Sequence, residues 1–109
     1  MNVPVTKLDP MENLQDQANQ VAEVLQTLAN GRRLFVLCQL QELGEANVTT
    51  LAAAARLSQS ALSQHLAKLR EQEIVSTRRE AQTIYYRLDD PAAIRMLDTL
   101  CEIYRQPVS

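Results

Sequence analysis

Tryptophan is absent from this 109-residue chain, and phenylalanine and histidine each occur once. There are two glycines and two cysteines. These scarcities exclude whole classes of chemistry. One histidine (His65) and two cysteines (Cys38 and Cys101, 63 positions apart) are too few ligands for a zinc finger or a histidine-rich catalytic centre. No glycine-rich loop is present to cradle a phosphate, and no nucleophile–base pair or cofactor fingerprint stands out, so neither an enzyme nor a bound cofactor is expected. No apolar run approaches the ~20 residues of a membrane span. The opening MNVPVTKLDPMENL lacks the apolar core of a signal peptide. The expectation is a cytoplasmic protein with no membrane partner, in a compartment that keeps thiols reduced.

What is abundant favours helix. Ala, Leu, Gln and Glu make up 48 of the 109 residues. The length suits one domain over residues 1–109, burying roughly 60–70% of its unfolded surface. Net charge is only −2, but it is unevenly spread. Residues 1–30 carry −3, 31–55 are neutral, 56–87 carry +3 and 88–109 carry −2. A basic segment between acidic ends is either a solvated charged face or the footprint of a polyanion.

The local signals come in a clear order. Residues 1–9 read as a flexible tail. Asp9-Pro10-Met11-Glu12 has the pattern of a helix start, with Asp at the N-cap, Pro at the first helical position and Glu at the third. Leu14, Ala18, Val21, Leu25 and Leu28 then recur at alternating spacings of four and three, the seam of a helix packed along another helix. Asn30 can cap a second helix through about Leu43. Its wide stripe (Leu34, Val36, Leu37, Cys38, Leu40, Leu43) suits a central helix, and Gly44 supplies the stop. Thr49 or Thr50 can cap a short helix, Leu51 to about Arg56. Ser58 can cap the next, with Leu62, Leu66 and Leu69 inward and Gln59, Ser60, Ser63, Gln64 and Lys68 on the opposite surface. From Ile74 to Leu88 the period drops to two, which predicts a hairpin with its tip near Arg79–Gln82. Asp90-Pro91 opens a last helix bearing Ile94, Leu97, Cys101 and Tyr104 on one stripe.

A short helix, a turn and a polar-faced helix make a helix-turn-helix, and the basic hairpin after it makes a wing. The fold expected is mainly α with a small β-hairpin wing and five helices. Gln and Ser on the exposed face can reach base edges, while Lys and Arg neutralise phosphates. The stretch LSQSALSQHLAKLREQEIVSTRREAQTIYYRL resembles the recognition helix and wing of ArsR/SmtB-type winged helix-turn-helix repressors. Upstream, LANGRRLFVLCQL resembles the second helix of the same family, so the likeness runs over about residues 20 to 105. The resemblance implies a homodimer formed by the first and last helices and a repressor of double-stranded DNA carrying a palindromic operator. The DNA-binding residues implied are Gln59, Ser60, Ser63, Gln64, His65, Lys68, Arg78, Arg79 and Arg87. One departure is Arg56, where the family often has Gly, so a positive φ is expected there.

Many members sense metals, but TTLAAAARL has no cysteine pair and DDPAAIRMLDTLCEIYRQ has no histidine. His65 therefore reads as structural or DNA-facing, and no metal is expected. The resemblance instead suggests the dithiol branch, with Cys38 and Cys101 sensing reactive sulfur species or another thiol oxidant as inducer. That branch usually has its second cysteine after the closing aromatic, where Arg105 stands. Cys101 is one turn earlier, on the same face but shifted by ~6 Å. The rival reading is two inert core cysteines. A metal-responsive repressor and a winged-helix protein-interaction module are the alternatives. Arg33 reads as a structural pairing residue within the dimer core rather than a DNA contact, and Tyr85 and Tyr86 as strand residues, one inward and one outward.

Overall fold

The computed structural model describes residues 12–104. The tail over 1–9, the Asp9-Pro10 helix start and Arg105 lie outside the described residues. The order is α1 (Glu12–Leu28), α2 (Gly31–Leu43), β1 (Ala46–Asn47), α3 (Val48–Ala55), α4 (Gln59–Glu71), β2 (Val75–Glu80), β3 (Thr83–Leu88) and α5 (Pro91–Tyr104). No helix among these residues is long and apolar enough to cross a membrane.

Capping explains most of the boundaries. Asn30 Oδ1 accepts from the Arg33 amide at 3.0 Å and starts α2. Gly44 ends it at φ 81°, with its amide bonded to the Leu40 carbonyl at 2.8 Å. Ser58 Oγ accepts from the Ala61 amide at 3.1 Å and starts α4. The start of α3 differs from the threonine cap expected. Asn47 does the capping, accepting from the Thr50 amide at 2.8 Å, so the helix begins at Val48. Asn ranks above Thr as an N-cap. The turn into α4 puts Arg56 in the left-handed region at φ 58°, the positive φ that the family resemblance implied.

The wing is more than a hairpin. β2 and β3 pair in register from Val75↔Leu88 to Glu80↔Thr83, and β1 adds to the other edge of β3 through Ala46↔Tyr86 and Asn47↔Tyr85. All pairs are antiparallel and the strand order is β1-β3-β2. A two-residue strand is too short to show a period, which is why β1 has no sequence signal.

Residues paired across the ladder share a face, so the sheet has two distinct sides. Ala46, Val75, Thr77, Tyr86, Leu88 and, at the tip, Arg79 and Ile84 point one way. Tyr86 on that side borders a cleft with Ser63, Leu66 and Ala67 of α4. Asn47, Ser76, Arg78, Glu80, Tyr85 and Arg87 lie on the other side. One inward and one outward tyrosine is the arrangement expected.

The core is one cluster. Val36, Leu37 and Leu40 of α2 are fully buried with Leu51, Leu62, Leu69, Ile74 and Leu97, and Cys38 packs at its edge. α2 is the central helix expected, although Leu43 at its end is exposed. α1 is the exception. Its last turn is anchored: Thr27 is buried and its hydroxyl donates to Gln72 Oε1. Arg33 Nε donates to the Thr27 carbonyl at 3.2 Å, a structural role within one protomer. The rest of the seam, Leu14, Val21 and Leu25, lies exposed.

Candidate nucleic-acid interface

The polar face of α4 is built by elimination. Leu62, Leu66 and Leu69 turn inward, so Gln59, Ser60, Ser63, Gln64 and Lys68 are left facing water along one side. Gln59 Nε2 also reaches Thr49 Oγ1 at 3.5 Å, which links the tip of α4 to α3. The side chains are amides, hydroxyls and one ammonium, groups that can hydrogen-bond base edges and phosphates.

His65 is on this helix but apart from that face. It is half-buried, and burial first, then the nearby Arg33 and Arg32 guanidinium groups, push its imidazole below the ordinary histidine pKa. Both arginines stand at the start of α2.

The three wing arginines are not equivalent. Arg78 is held on the outer face by two carboxylates, with Nε 2.8 Å from Glu45 Oε2 and Nη1 2.8 Å from Glu80 Oε1. Its guanidinium also stacks 4.6 Å from the centre of the Tyr85 ring. The hydrogen bond from Arg78 holds the Glu45 carboxyl below its usual range, and the two carboxylates raise the arginine pKa further. Arg87 shares this face, donates to Ser76 Oγ at 3.5 Å and also feels Glu45. Arg79 is on the opposite face, exposed, and has no ion pair among the described residues.

Glu45 and Glu80 are not singled out by the sequence. Glu80 is two residues from Arg78, a spacing that could have been flagged once the strand was assigned. Glu45 is 33 residues away, and only the pairing of β1 with β3 brings it near.

Cys38 lies on α2 and Cys101 on α5. Both are half-buried. The Cys101 thiol donates to Gln41 Oε1 at 3.5 Å, and Gln41 Nε2 donates to Asp98 Oδ1. A carboxylate only accepts, so Asp98 fixes which end of the amide faces the sulfur. Gln41 is three residues, one turn, beyond Cys38 on α2. On α5, Cys101 is therefore bonded to the turn of α2 that follows Cys38. Among the described residues, no group of three His, Cys, Asp or Glu side chains gathers as a metal cluster would.

Known proteins share both this sequence and this architecture. The family described as "Bacterial regulatory protein, arsR family" matches residues 30–77, from the cap of α2 into β2. The transcriptional activator HlyU of Vibrio cholerae is 43% identical over 107 residues, covering 95% of this chain and 97% of its own. A solved structure of reduced HlyU from the same organism superposes with a TM-score of 0.81 at 40% identity, covering 88% of this chain and all of that one. The biofilm growth-associated repressor of Agrobacterium fabrum is 42% identical, covering 90% and 83% of the two chains. The solution structure of a homodimeric winged helix-turn-helix DNA-binding domain from Mycobacterium bovis gives a TM-score of 0.75 at 31% identity, with 86% of each chain covered.

Proposed function

This chain belongs to the arsR family of bacterial regulatory proteins, and from that premise we propose that it is a homodimeric repressor released from a palindromic operator when Cys38 and Cys101 are oxidised. As a member of that family it is a DNA-binding transcriptional regulator. Repression is the sign proposed because occupying an operator excludes other proteins by bulk alone. One relative carries that role, the Agrobacterium repressor, whereas HlyU is named an activator. In the proposed complex, the polar face of α4 enters the major groove, Ser63 and Gln64 reach base edges, and Lys68 and the wing supply phosphate contacts. A second protomer places its own α4 about 34–36 Å away, which makes the site an inverted repeat.

The observation that carries the switch is the placement of Cys101 against Gln41, one turn from Cys38, across the α2–α5 contact. A direct disulfide needs the two Cα atoms within about 7 Å, and an inserted sulfur tolerates a wider gap. The chemistry balances with a persulfide R–S–SH as inducer. One persulfide passes its outer sulfur to a cysteine thiol and leaves as R–SH. A second takes two electrons and two protons as the cysteine persulfide joins the other thiol, and leaves as R–SH and hydrogen sulfide. The resulting trisulfide ties the central helix to α5, and affinity falls because the tied form favours a spacing of α4 helices that does not fit DNA.

The test compares wild type, Cys38→Ser, Cys101→Ser and the double variant on a duplex recovered by enrichment from random sequence. All four bind alike when reduced, and a persulfide donor releases only the wild type. Equal loss of binding by wild type and double variant would make the cysteines core residues and nothing more.

A further inference from the structure

The two adjacent wing arginines differ in everything but charge. We infer that Arg79 is the wing's phosphate ligand, whereas Arg78 is a positioning residue that locks the wing to the β1 edge through Glu45. This deepens the DNA-binding reading above and rests on it.

The first argument is direction. Paired residues share a side of the sheet, so Arg79, opposite Ile84, lies on the side of Thr77 and Tyr86. Tyr86 borders α4 at Ser63 and Ala67. Two residues beyond Tyr86's partner, at about 3.3 Å each, Arg79 projects near the free tip on the recognition-helix side. Backbone phosphates flanking a groove occupied by α4 lie on that side. Arg78 leaves the opposite face.

The second argument is occupancy. A guanidinium offers five N–H donors in a rigid fork. Arg78 gives two of those donors to Glu45 and Glu80 at 2.8 Å each and holds its Cζ 4.6 Å from the centre of the Tyr85 ring. A phosphate arriving at Arg78 would meet two carboxylates already in place, and their negative charge would oppose it. The three partners come from β1's approach, β2 and β3, so the cluster spans every strand of the sheet. β1 is only two residues long, with little ladder of its own to hold it. An ion pair from its flanking Glu45 to the middle of β2 supplies a tie across the sheet that backbone pairing does not. Arg79, with no ion pair among the described residues, is available to DNA.

Two readouts separate a phosphate ligand from a positioning residue. The first is the salt dependence of binding, in which each phosphate neutralised contributes about 0.9 to the slope of log affinity against log salt. Arg79→Ala flattens that slope by about 0.9 per bound protomer, and Arg78→Ala leaves it unchanged. The second readout is amide hydrogen exchange in the DNA-free protein, which reports local opening. Arg78→Ala and Glu45→Gln each speed exchange at the β1–β3 ladder, and Arg79→Ala does not. Arg78→Lys keeps the charge but loses the fork, so it exchanges like Arg78→Ala. A slope loss for Arg78→Ala equal to that for Arg79→Ala would overturn the inference, as would unchanged exchange in both Arg78→Ala and Glu45→Gln. If wild type shows no salt-dependent DNA binding, the DNA reading itself fails, and the exchange arm still tests the tie.

Discussion

At the scale of single residues, the described backbone holds three non-glycine residues at positive φ: Arg56, Glu73 and Ala81. Ala81 sits in the two-residue link between β2 and β3, where glycine or asparagine is the usual solution. Its Cβ crowds the backbone at φ 58° and its side chain is exposed. Ala81→Gly is expected to stabilise the fold by roughly 0.5–1 kcal/mol, after the entropic cost of glycine is subtracted. Thermal unfolding reads this as a melting point a few degrees higher, and a lower one would refute it. Of the three positions only Arg56 was legible in the sequence, through a resemblance that places Gly there. Nothing in the identity of Glu73 or Ala81 signals a left-handed residue.

His65 carries a prediction of its own. Its folded pKa lies below 6.5 because burial and the facing Arg33 and Arg32 penalise the imidazolium. The unfolded chain therefore binds a proton that the folded one resists. Stability contributed by the neutral ring is fully present above about pH 6.5 and declines as pH falls through that value. Denaturant midpoints of His65→Gln, measured against wild type between neutral and mildly acidic pH, should show a shallower acid loss. Parallel curves for the two proteins would mean that the imidazole does not titrate under strain.

At the scale of elements, α4 divides its labour by helical position. Leu62, Leu66 and Leu69 lock it to the core, and that rigidity lets a short amide such as Gln64 be aimed at one base pair. Gln64→Ala should therefore relax discrimination at a single operator position by roughly 1–3 kcal/mol, the usual worth of a bidentate base contact. Binding to operator variants changed at each position in turn will show it, and an unaltered preference would move the reading face elsewhere. The helices were legible because caps and apolar stripes are written in neighbouring residues. β1 was not, since two residues contain no repeat, and with it went the Asn47 cap and Glu45.

At the scale of the whole molecule, the described residues form a slab of 46 × 42 × 22 Å from which most of α1 stands exposed. Leu14 is 54% exposed, Leu25 50% and Tyr104 80%. Helices of this length are marginal in water unless an apolar face is buried. An exposed apolar row is the mark of an association surface. Near the end of α1 the row meets α5 in a cleft of about 630 Å³ lined by Leu25, Leu28, Met96 and Leu100. The surface thus joins the two helices expected to form the homodimer. Leu25→Glu puts a charge into that contact, where desolvation opposes it. Sedimentation should then find monomers, and these should bind operator poorly because one α4 reads only half of an inverted repeat. An intact dimer of this variant would place the interface on another face.

The sequence by itself determined the extent of the helices, the inward faces of α2 and α4 with their Asn30 and Ser58 caps, and the hairpin, because each depends on spacings of two to four residues along one segment. It also carried enough family likeness to point to DNA. The tertiary structure alone decided which polar groups meet. Glu45 reaches Arg78 across 33 positions, Asp98 reaches Gln41 across 57, and His65 feels the charge of Arg33 and Arg32 on α2. A run of arginines looks uniform as a string of letters. Strand parity sends two neighbours to opposite faces, and packing then supplies one with carboxylates and leaves the other to solvent.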